Sequence, residues 1–460
     1  MTRYTSATDA DREQMLAAIG ASSVDELFSD IPAGVRLDRP LELPAGMTEQ
    51  AVYERLAELA SRNTGAEDEI TFLGAGMYDH YVPAIVDSIT QRSEFLTPYT
   101  PYQPEISQGT LQAMFEFQTS ISELTGLPVA SAGLYEGPSS VAAAAYLARG
   151  ATGRPKFLVS RGLHPHSREA LETYSAGYGT SVEDIALAGG ATDLAALEAA
   201  VGDDTAAVFL QQPNFLGSVE DLAALAPVAK STGALLVVAV DALTLGVLRP
   251  PGDFGADVAV GEGQPLGNRL DYGGPSVGFF AAREEHIRRM PGRIAGETTD
   301  VDGRRGFVLT LQTREQHIRR EKATSNICTS QQLNALAATI YLSWLGRPGI
   351  VELGELMTQR TAYARERLAA IDGVEPLHSR PAVREFAVSL DAPVDGVLRR
   401  CAADGINAGY PLGHDYPEWP NGLLIAITER RTRAHIDLLA DALERAVAAE
   451  RAGTTEAVNA

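Results

Sequence analysis

Cysteine is almost absent from this chain of 460 residues, which has only Cys328 and Cys401. Two cysteines so far apart cannot supply a disulfide framework, and we expect both to be small core residues in a reducing compartment. Long hydrophobic runs are also missing, because stretches such as 234–240 fall far short of the roughly 20 residues that cross a bilayer. The first residues show no pattern of a secretory signal. The sequence therefore predicts a cytoplasmic chain with no membrane partner.

Basic residues are scarce as well. Lysine and arginine together number 38 against 60 for aspartate and glutamate, which gives a net charge of -22. Phosphate backbones and anionic lipids repel a chain of this charge, so we expect no nucleic-acid partner. The only lysines are Lys156, Lys230 and Lys322. Any chemistry that needs a lysine must use one of these, and Lys156 and Lys230 are expected to be solvated surface charges.

Short apolar runs alternate with helical segments through the middle of the chain. A strand covered on both faces is apolar throughout, and such strands occur in mainly parallel sheets flanked by helices. The sequence therefore predicts an α/β fold. The predicted strands lie at 157–160, 206–211, 234–240, 257–260 and 277–281.

The pattern changes at both ends of the chain. Helical spacing at 8–19 and 48–61 indicates a helical arm, and candidate strands at 384–390 and 422–428 indicate a second, smaller α/β region. The predicted domains are an N-terminal helical arm at 1–65, a large α/β domain at 66–335 and a small C-terminal α/β domain at 336–460.

Residues 134–140 read LYEGPSS and precede an alanine-rich helical run. Small residues that open a helix leave backbone amides free to hold an anion such as phosphate. The alternative is an ordinary N-cap made by Ser139 or Ser140, which is the commoner use of such a sequence.

Asp241 follows an apolar strand and is expected at the carboxyl edge of the sheet, facing a ligand crevice. An aspartate at this place can pair with the pyridinium nitrogen of a cofactor such as pyridoxal phosphate. It can equally cap the turn that follows. The residues alone leave both interpretations open.

Residues 257–265 read DVAVGEGQP and are followed by Gly273 and Gly274. A glycine-containing helix start, a strand-end aspartate, a further strand and then glycines resemble the large domain of fold-type I pyridoxal phosphate enzymes. Two longer segments are similar to signature stretches of the glycine decarboxylase P-protein family. They are YTPYQPEISQG at 99–109 and REKATSNICT at 320–329.

Shorter matches support this resemblance and extend it over nearly the whole chain beyond the arm. They are His164 with Pro165, QPNFLG at 212–217 and ITERRT at 427–432. The resemblance implies a fold-type I transferase-like fold with a large domain and a smaller C-terminal domain. It also implies a heteromeric enzyme that decarboxylates glycine and transfers the aminomethyl group to the lipoyl group of an H-protein.

One position departs from the family pattern. In the catalytic chain of the family, the strand that begins Asp-Val leads to the lysine that carries the cofactor. Alignment on Asp257 and Val258 puts Pro265 there, and proline has no amine to form a Schiff base. We therefore expect no catalytic residue in this chain. Ser139, Ser140, His164, Asp241 and Gln264 would belong to a degenerate cofactor pocket.

The resemblance implies that this chain is a helper subunit. Pyridoxal phosphate would be held by a lysine-bearing β subunit of glycine decarboxylase, with two-fold α2β2 assembly as the default. No metal ligand set is predicted. Two segments would approach the partner's active site. Their expected residues are Tyr99, Tyr102, Gln103 and Glu105 in the first and Lys322, Thr324, Ser325 and Asn326 in the second.

Two alternatives stay open at this stage. One is an independent pyridoxal phosphate enzyme, an aminotransferase or a carbon–sulfur lyase, that uses Lys322. The other is a noncatalytic scaffold that descends from such enzymes. A yellow chain that borohydride reduces at Lys322 would support the first alternative, and a partner whose activity does not depend on this chain would support the second.

Overall fold

The computed structural model describes residues 6–323, 327 and 330–459, and the chain forms two compact units, Met1–Thr64 and Gly65–Ala460. The first unit contains the helices α1 (Asp9–Ile19) and α2 (Glu49–Ala60). Thr8 and Asp11 form a capping box at α1, and the Thr48 hydroxyl accepts a hydrogen bond from the Ala51 amide at α2. Both helices were predicted from the sequence and are confirmed.

The second unit contains the sheets. Its strands, in chain order, are β1 (Ile70–Thr71), β2 (Val129–Ala130), β3 (Lys156–Ser160), β4 (Ser181–Ile185), β5 (Leu187–Ala188), β6 (Ala191–Thr192), β7 (Thr205–Gln212), β8 (Leu235–Val240), β9 (Val258–Glu262), β10 (Gly278–Ala282), β11 (Ile294–Thr299), β12 (Arg305–Thr310), β13 (Val374–Pro376), β14 (Glu385–Leu390), β15 (Ile406–Asn407), β16 (Tyr410–Pro411) and β17 (Gly422–Ala426).

The helices of this unit flank those strands. They are α3 (Ala84–Thr90), α4 (Ser93–Leu96), α5 (Gln108–Thr125), α6 (Gly137–Thr152), α7 (Pro165–Tyr178), α8 (Leu194–Ala200), α9 (Leu222–Ala229), α10 (Gln316–Arg319), α11 (Gln332–Ala369), α12 (Val394–Ala403) and α13 (Arg433–Asn459). In the described part of the chain, no helix has the length and apolar character needed to cross a membrane.

The central sheet has seven strands in the order β2-β10-β9-β8-β7-β3-β4. The pairs from β9 to β4 are parallel, whereas β10 runs antiparallel to both of its neighbours. The sequence prediction of a mainly parallel α/β sheet is therefore confirmed. Topologically, the carboxyl ends of β7, β8 and β9 meet at one edge.

Apolar side chains cover both faces of this sheet. Successive residues of a strand point to opposite faces, and in β8 Leu236 and Val238 join one buried cluster while Val237 joins another. Side chains of α5, α9 and α11 complete the first cluster, and side chains of α6 and α7 complete the second. This double coverage explains why β7 and β8 are apolar at almost every position.

A second sheet follows α11, with the antiparallel order β13-β14-β17-β16. Its own buried cluster includes Val388 and Ile425 from the sheet, Cys401 from α12 and Leu443 from α13. The predicted core position of Cys401 is confirmed, whereas Cys328 lies outside the described residues. The predicted boundary between residues 335 and 336 falls inside α11, and the three-domain division stays a prediction.

The sequence prediction missed the edge strand β4 and the hairpin of β11 and β12. The sequence of β4 is SVEDI, in which only Ile185 is buried. Its charged residues lie at the sheet edge, where they do not produce the continuous apolar run of a central strand. The hairpin pairs Ile294 with Thr310 and Thr299 with Arg305, and its outer half is mostly polar and exposed.

Candidate functional site

A cavity of about 340 Å³ opens where the carboxyl ends of the parallel strands meet. Gln211 from β7, Asp241 after β8 and Glu262 from β9 line it, together with the first residues of α6 and the start of α7. This is the edge at which open α/β sheets bind ligands. The cavity is therefore the candidate site that the sequence predicts.

The first turn of α6 has no backbone donor left for an outside anion. The Gly137 amide donates to Glu262 Oε2 at 2.9 Å, and the Ser139 amide donates to Glu136 Oε1 at 2.9 Å. Pro138 has no N–H, and the Ser140 amide donates to the Glu136 carbonyl at 3.1 Å. These donors are all satisfied by the chain itself.

The N-cap of α6 is Glu136, so the expectation that Ser139 or Ser140 caps this helix is wrong. The Ser139 hydroxyl completes the capping box from the opposite side, by accepting from the Glu136 amide at 3.4 Å. The Ser140 hydroxyl donates to the Glu136 carbonyl at 2.9 Å. Neither serine is among the described residues that line the cavity. A serine N-cap stabilises a helix by accepting a hydrogen bond from a backbone amide of the first turn. A glutamate N-cap can do the same, and its negative charge also interacts favourably with the positive end of the helix dipole.

Glu262 is bound by three backbone amides from different elements. Besides Gly137, Gln264 donates to Oε1 at 2.8 Å and Val277 donates to it at 3.1 Å. Burial, together with the nearby Glu136 carboxylate, raises the pKa of Glu262 to about 7 although the amides act in the opposite direction. Three backbone donors therefore converge on this one side chain.

Asp241 contacts a cation of the small sheet region. Arg384 Nε lies 2.5 Å from Asp241 Oδ2, a charge contact without hydrogen-bond geometry. Asp241 Oδ1 accepts the Leu243 amide at 3.2 Å and so caps the turn Ala242–Gly246. Of the two interpretations left open, the turn cap is observed. The ring nitrogen of a cofactor would have to compete with Arg384 for this carboxylate.

His164 lines the cavity and begins α7. Its Nε2 lies 2.8 Å from the Ala75 carbonyl, and its Nδ1 accepts the His166 amide at 3.1 Å, so both ring nitrogens are engaged. Burial lowers the pKa of His164, which favours the neutral ring. Gly76 allows this contact, because it has φ +100 and a Cβ there would lie 2.7 Å from His164 Nε2.

Segment 74–81 closes one side of the cavity by binding the small sheet region. Tyr78 donates its hydroxyl hydrogen to Glu385 Oε2 at 2.7 Å, and its ring stacks with the Arg384 guanidinium at 3.4 Å. His80 Nδ1 lies 2.6 Å from Glu429 Oε2. The motif at 427–432, which supported the family resemblance, therefore has a structural contact here.

The position expected for the cofactor lysine lies on the cavity wall. Pro265 is buried there, and no lysine is among the described residues that line the cavity. Gln264 points away, since its side chain binds the Tyr78 backbone at 2.9 and 3.1 Å. Without an amine, without free amides at α6 and with Asp241 already in contact with Arg384, the described residues do not fit pyridoxal phosphate.

The two other lysines outside the signature segments are held by carboxylates. Lys156 Nζ lies 3.0 Å from Asp204, and Lys230 Nζ lies 2.8 Å from Asp257. The expectation that they are solvated charges is therefore wrong, because each is largely covered and paired. Neither lines the cavity.

Segment 99–109 packs against the hairpin of β11 and β12. Gln108 exchanges two hydrogen bonds with the Phe307 backbone, both of 2.8 Å. The Tyr102 hydroxyl lies 3.3 Å from Glu315 Oε2, and the Tyr102 ring lies 5.3 Å from the ring of His317. Tyr99 is 87% exposed, and Tyr102, Gln103 and Glu105 are also exposed. The first predicted partner segment thus lies beside the residues that lead into the second.

Of the second segment, only part is described. Lys322 is exposed in the turn Arg320–Lys322 and does not line the cavity. Thr324, Ser325 and Asn326 lie outside the described residues. Their predicted contacts stay predictions.

Three potential metal ligands lie together away from the cavity. Asp257, Glu285 and His286 each place one ligand atom within 4.8 Å of the others. Asp257 already accepts from the Leu236 amide at 2.8 Å and contacts Lys230. A cation would have to displace Lys230, so this group does not amount to a metal centre.

Sequence reasoning missed Arg384 and the internal role of Glu262. Arg384 is far from Asp241 in sequence, and nothing near it indicates an ion pair. Glu262 did have a local signal, since a carboxylate stands three residues before the expected lysine position, but the helix start that it contacts is 125 residues away in sequence. Its negative charge was visible, whereas its direct binding to Gly137 required the fold.

The fold is that of the fold-type I class of pyridoxal phosphate enzymes. At the level of fold, a sphingosine-1-phosphate lyase from Burkholderia pseudomallei is similar, with a TM-score of 0.66 at 16% identity over 93% of this chain and 97% of that chain. A crystal structure of glycine decarboxylase, the P-protein of the glycine cleavage system, in inhibitor-bound form, is much more similar. Its TM-score is 0.87 at 42% identity, over 97% of this chain and all 100% of that chain.

Sequence comparison identifies the family to which the chain belongs. A probable glycine dehydrogenase (decarboxylating) subunit 1 from Moorella thermoacetica is 52% identical over 440 residues, which cover 96% of this chain and 98% of the relative. The family model described as glycine cleavage system P-protein matches residues 2–443. The chain belongs to the glycine cleavage system P-protein family. Pyridoxal phosphate enzymes are among the structural neighbours of this chain.

Proposed function

We propose that the chain is the noncatalytic α subunit, subunit 1, of a two-chain glycine decarboxylase. A lysine-bearing β subunit would hold pyridoxal phosphate, and the two chains would form an α2β2 assembly in the cytoplasm. The complex would decarboxylate glycine and pass the aminomethyl group to the lipoyl group of the H-protein. The relatives' designation as subunit 1 supports a divided enzyme.

The observation that carries this proposal is the wall of the cavity. Pro265 lines it at the position where the sequence resemblance leads us to expect the cofactor lysine, and the amides of α6 bind the chain's own carboxylates. A family member with this cavity has no way to anchor the cofactor covalently. Its contribution to the reaction would therefore come from surfaces that complete the partner's active site.

The two signature segments are suited to that contribution. Tyr99 and Tyr102 would line the mouth of the partner's pocket, and Thr324, Ser325 and Asn326 would donate hydrogen bonds toward its bound phosphate. Tyr102 contacts Glu315 and His317, a few residues before the second segment. This contact supports a common face for the two segments.

The main test uses the chain and its lysine-bearing partner, purified separately and then mixed. With lipoylated H-protein present, release of carbon dioxide from labelled glycine is expected only from the mixture. After incubation with pyridoxal phosphate and removal of the unbound cofactor by gel filtration, this chain alone should retain no stoichiometric yellow chromophore, because no lysine is among the described residues that line its cavity. Turnover by this chain alone, or full turnover by the partner alone, would contradict the proposal.

A double variant tests the second segment. Thr324→Ala with Ser325→Ala should lower cofactor occupancy in the mixed complex, because the partner's phosphate loses hydrogen-bond donors. Ser93→Ala with Thr97→Ala removes two exposed hydroxyl groups outside both segments and serves as the control. Equal cofactor occupancy in the two complexes would reject this role for the segment.

An independent enzyme that uses Lys322 has less support. Lys322 is exposed and is not part of the cavity wall. Borohydride reduction of the chain with pyridoxal phosphate, followed by peptide mass spectrometry, should find no specific adduct at Lys322. A scaffold without any catalytic role predicts instead that the partner's turnover is unchanged when this chain is added.

A further inference from the structure

The carboxylate of Glu262 lies among converging backbone amides beside the start of α6. It binds one amide from each of three places, the start of α6, the loop after β9 and the residue that precedes β10. Convergent backbone amides at a helix start are the usual cradle for a phosphate. Here the cradle is filled by a side chain from the adjacent strand.

The close approach of Glu262 depends on a glycine. A Cβ at Gly137 would lie 3.2 Å from both the Cβ and the backbone nitrogen of Glu262. That spacing is tighter than ordinary van der Waals contact, so a larger residue would push the two elements apart. The start of α6 is thus shaped to receive this strand end.

A second charged side chain of the chain itself, Arg384, lies beside Asp241 on the cavity wall. Arg384 is 3% exposed, and its guanidinium is held between the Tyr78 ring at 3.4 Å and the Asp241 carboxylate at 2.5 Å. A cofactor with a protonated ring nitrogen would present a positive charge to the same carboxylate. One chain therefore supplies both an anion and a cation where a phosphorylated pyridine has them.

We propose that Glu262 and Arg384 are built-in substitutes for the phosphate and the ring nitrogen of a phosphorylated pyridine, and that they exclude such ligands from this cavity. Three features then prevent cofactor binding: the absent lysine, Glu262 and Arg384. Restoring the lysine alone does not restore cofactor binding. Removing Glu262 uncovers a site for inorganic phosphate and phosphate monoesters. This inference concerns the chain's own cavity and stands independently of the proposed partnership.

The first experiment measures phosphate binding to the purified full chain. Glu262→Ser should bind inorganic phosphate at least about tenfold more tightly than the wild type, because charge-assisted hydrogen bonds from freed amides are of that order. Its melting temperature should rise when phosphate is added. Glu220→Gln is the matched control, since Glu220 is also a buried carboxylate that binds an amide, that of Thr192, but does not line the cavity.

A folded Glu262→Ser chain that gains no phosphate affinity over the wild type overturns the proposal. An equal gain in Glu220→Gln overturns it as well, because the effect would then follow from lost negative charge anywhere in the chain. Circular dichroism and the melting curve establish whether each variant is folded.

The second experiment does not depend on the folding of the serine variant. Pro265→Lys is incubated with pyridoxal phosphate, and the visible absorbance and the borohydride-trapped adduct at position 265 are measured. The proposal expects no adduct above the wild type, because both charged positions are still filled. Stoichiometric yellow adduct at position 265 in this single variant overturns it. If Glu262→Ser does not fold, this result decides the question.

Discussion

Glu385 is a buried carboxyl group whose protonation is linked to folding. It accepts hydrogen bonds from the Ala75 amide and the Tyr78 hydroxyl, and burial raises its pKa from 4.5 to about 7. A raised folded-state pKa means that the folded chain binds more protons between these two pH values. Its contribution to stability is therefore fully present below pH 4.5 and is lost as the pH rises through about 7.

Glu385→Gln tests this linkage. The difference in free energy of unfolding between the wild type and the variant should decrease by about 3 kcal/mol as the pH rises from 4.5 to above about 7. Urea denaturation at several pH values measures the difference. Glu375→Gln, which changes an exposed carboxyl on β13, should show a much smaller difference. Curves for the wild type and Glu385→Gln that stay parallel would contradict the assignment.

Gly76 is a position where both the backbone conformation and the close packing require glycine. It has φ +100, and an added Cβ would lie 2.7 Å from His164 Nε2. Gly76→Ala should destabilise the chain by about 3 kcal/mol, because strain and steric overlap add. Gly179→Ala has only the strain, since Gly179 has φ +63 with nothing within 4 Å, and it should cost about 1 kcal/mol. Chemical denaturation distinguishes the two, and equal losses would remove the packing argument.

Single residues also show how far the sequence predicts the site. Asp241, His164 and Pro265 were placed in the cavity from their position after strands and from the family pattern, and all three line it. Gln264 was placed there too, but its amide binds segment 74–81 instead. Arg384 was missed, because a pair between residues so distant in sequence leaves no local pattern. Local rules find strand ends, whereas the contacts across them come only from the fold.

At the scale of elements, segment 74–81 is fastened to the loop after β17 by a buried ion pair. Arg431 contacts Asp79 Oδ2 at 2.9 Å, and both side chains are less than a tenth exposed. Asp79→Ala should destabilise the chain by about 3 kcal/mol, because it leaves a buried guanidinium uncompensated. The melting temperature and urea midpoint measure this loss.

Glu67→Ala is the matched control for the ion pair between Asp79 and Arg431. Glu67 contacts the neighbouring Arg430 at 2.9 Å, but its side chain is 83% exposed. Exposed pairs contribute little, so the control should lose less than about 1 kcal/mol. If both variants lose the same stability, burial of the Asp79 pair is not the deciding factor.

Elements were predicted well where one physical signal dominated. The central strands β7 and β8 are covered on both faces, and their apolar runs reveal them. Strand β4 and the hairpin of β11 and β12 are held by pairing with neighbours while much of their surface is exposed, so composition alone does not mark them. The N-cap of α6 was assigned to the wrong residue because glutamate is an uncommon cap, used here in a box with Ser139.

At the scale of the whole molecule, the exposed side chain of Tyr99 is the sharpest test of assembly. An aromatic side chain that is 87% exposed gains much from burial at an interface. Tyr99→Ala should weaken association with the proposed lysine-bearing partner by at least about tenfold. Tyr174→Ala, an exposed tyrosine on α7 outside both signature segments, is the control. Titration calorimetry of the two chains measures both, and unchanged affinity for Tyr99→Ala would place the interface elsewhere.

The occupied amides at the start of α6 have a consequence for biosynthesis. An enzyme whose prosthetic group completes its core matures only as fast as that group is supplied. In this polypeptide, the carboxylate of Glu262 already binds the Gly137 amide at the start of α6, and it is made on the ribosome with the rest of the chain. Its maturation should therefore proceed unaltered in cells starved of vitamin B6, and under the proposed division of the enzyme a shortage would act through the proposed partner chain.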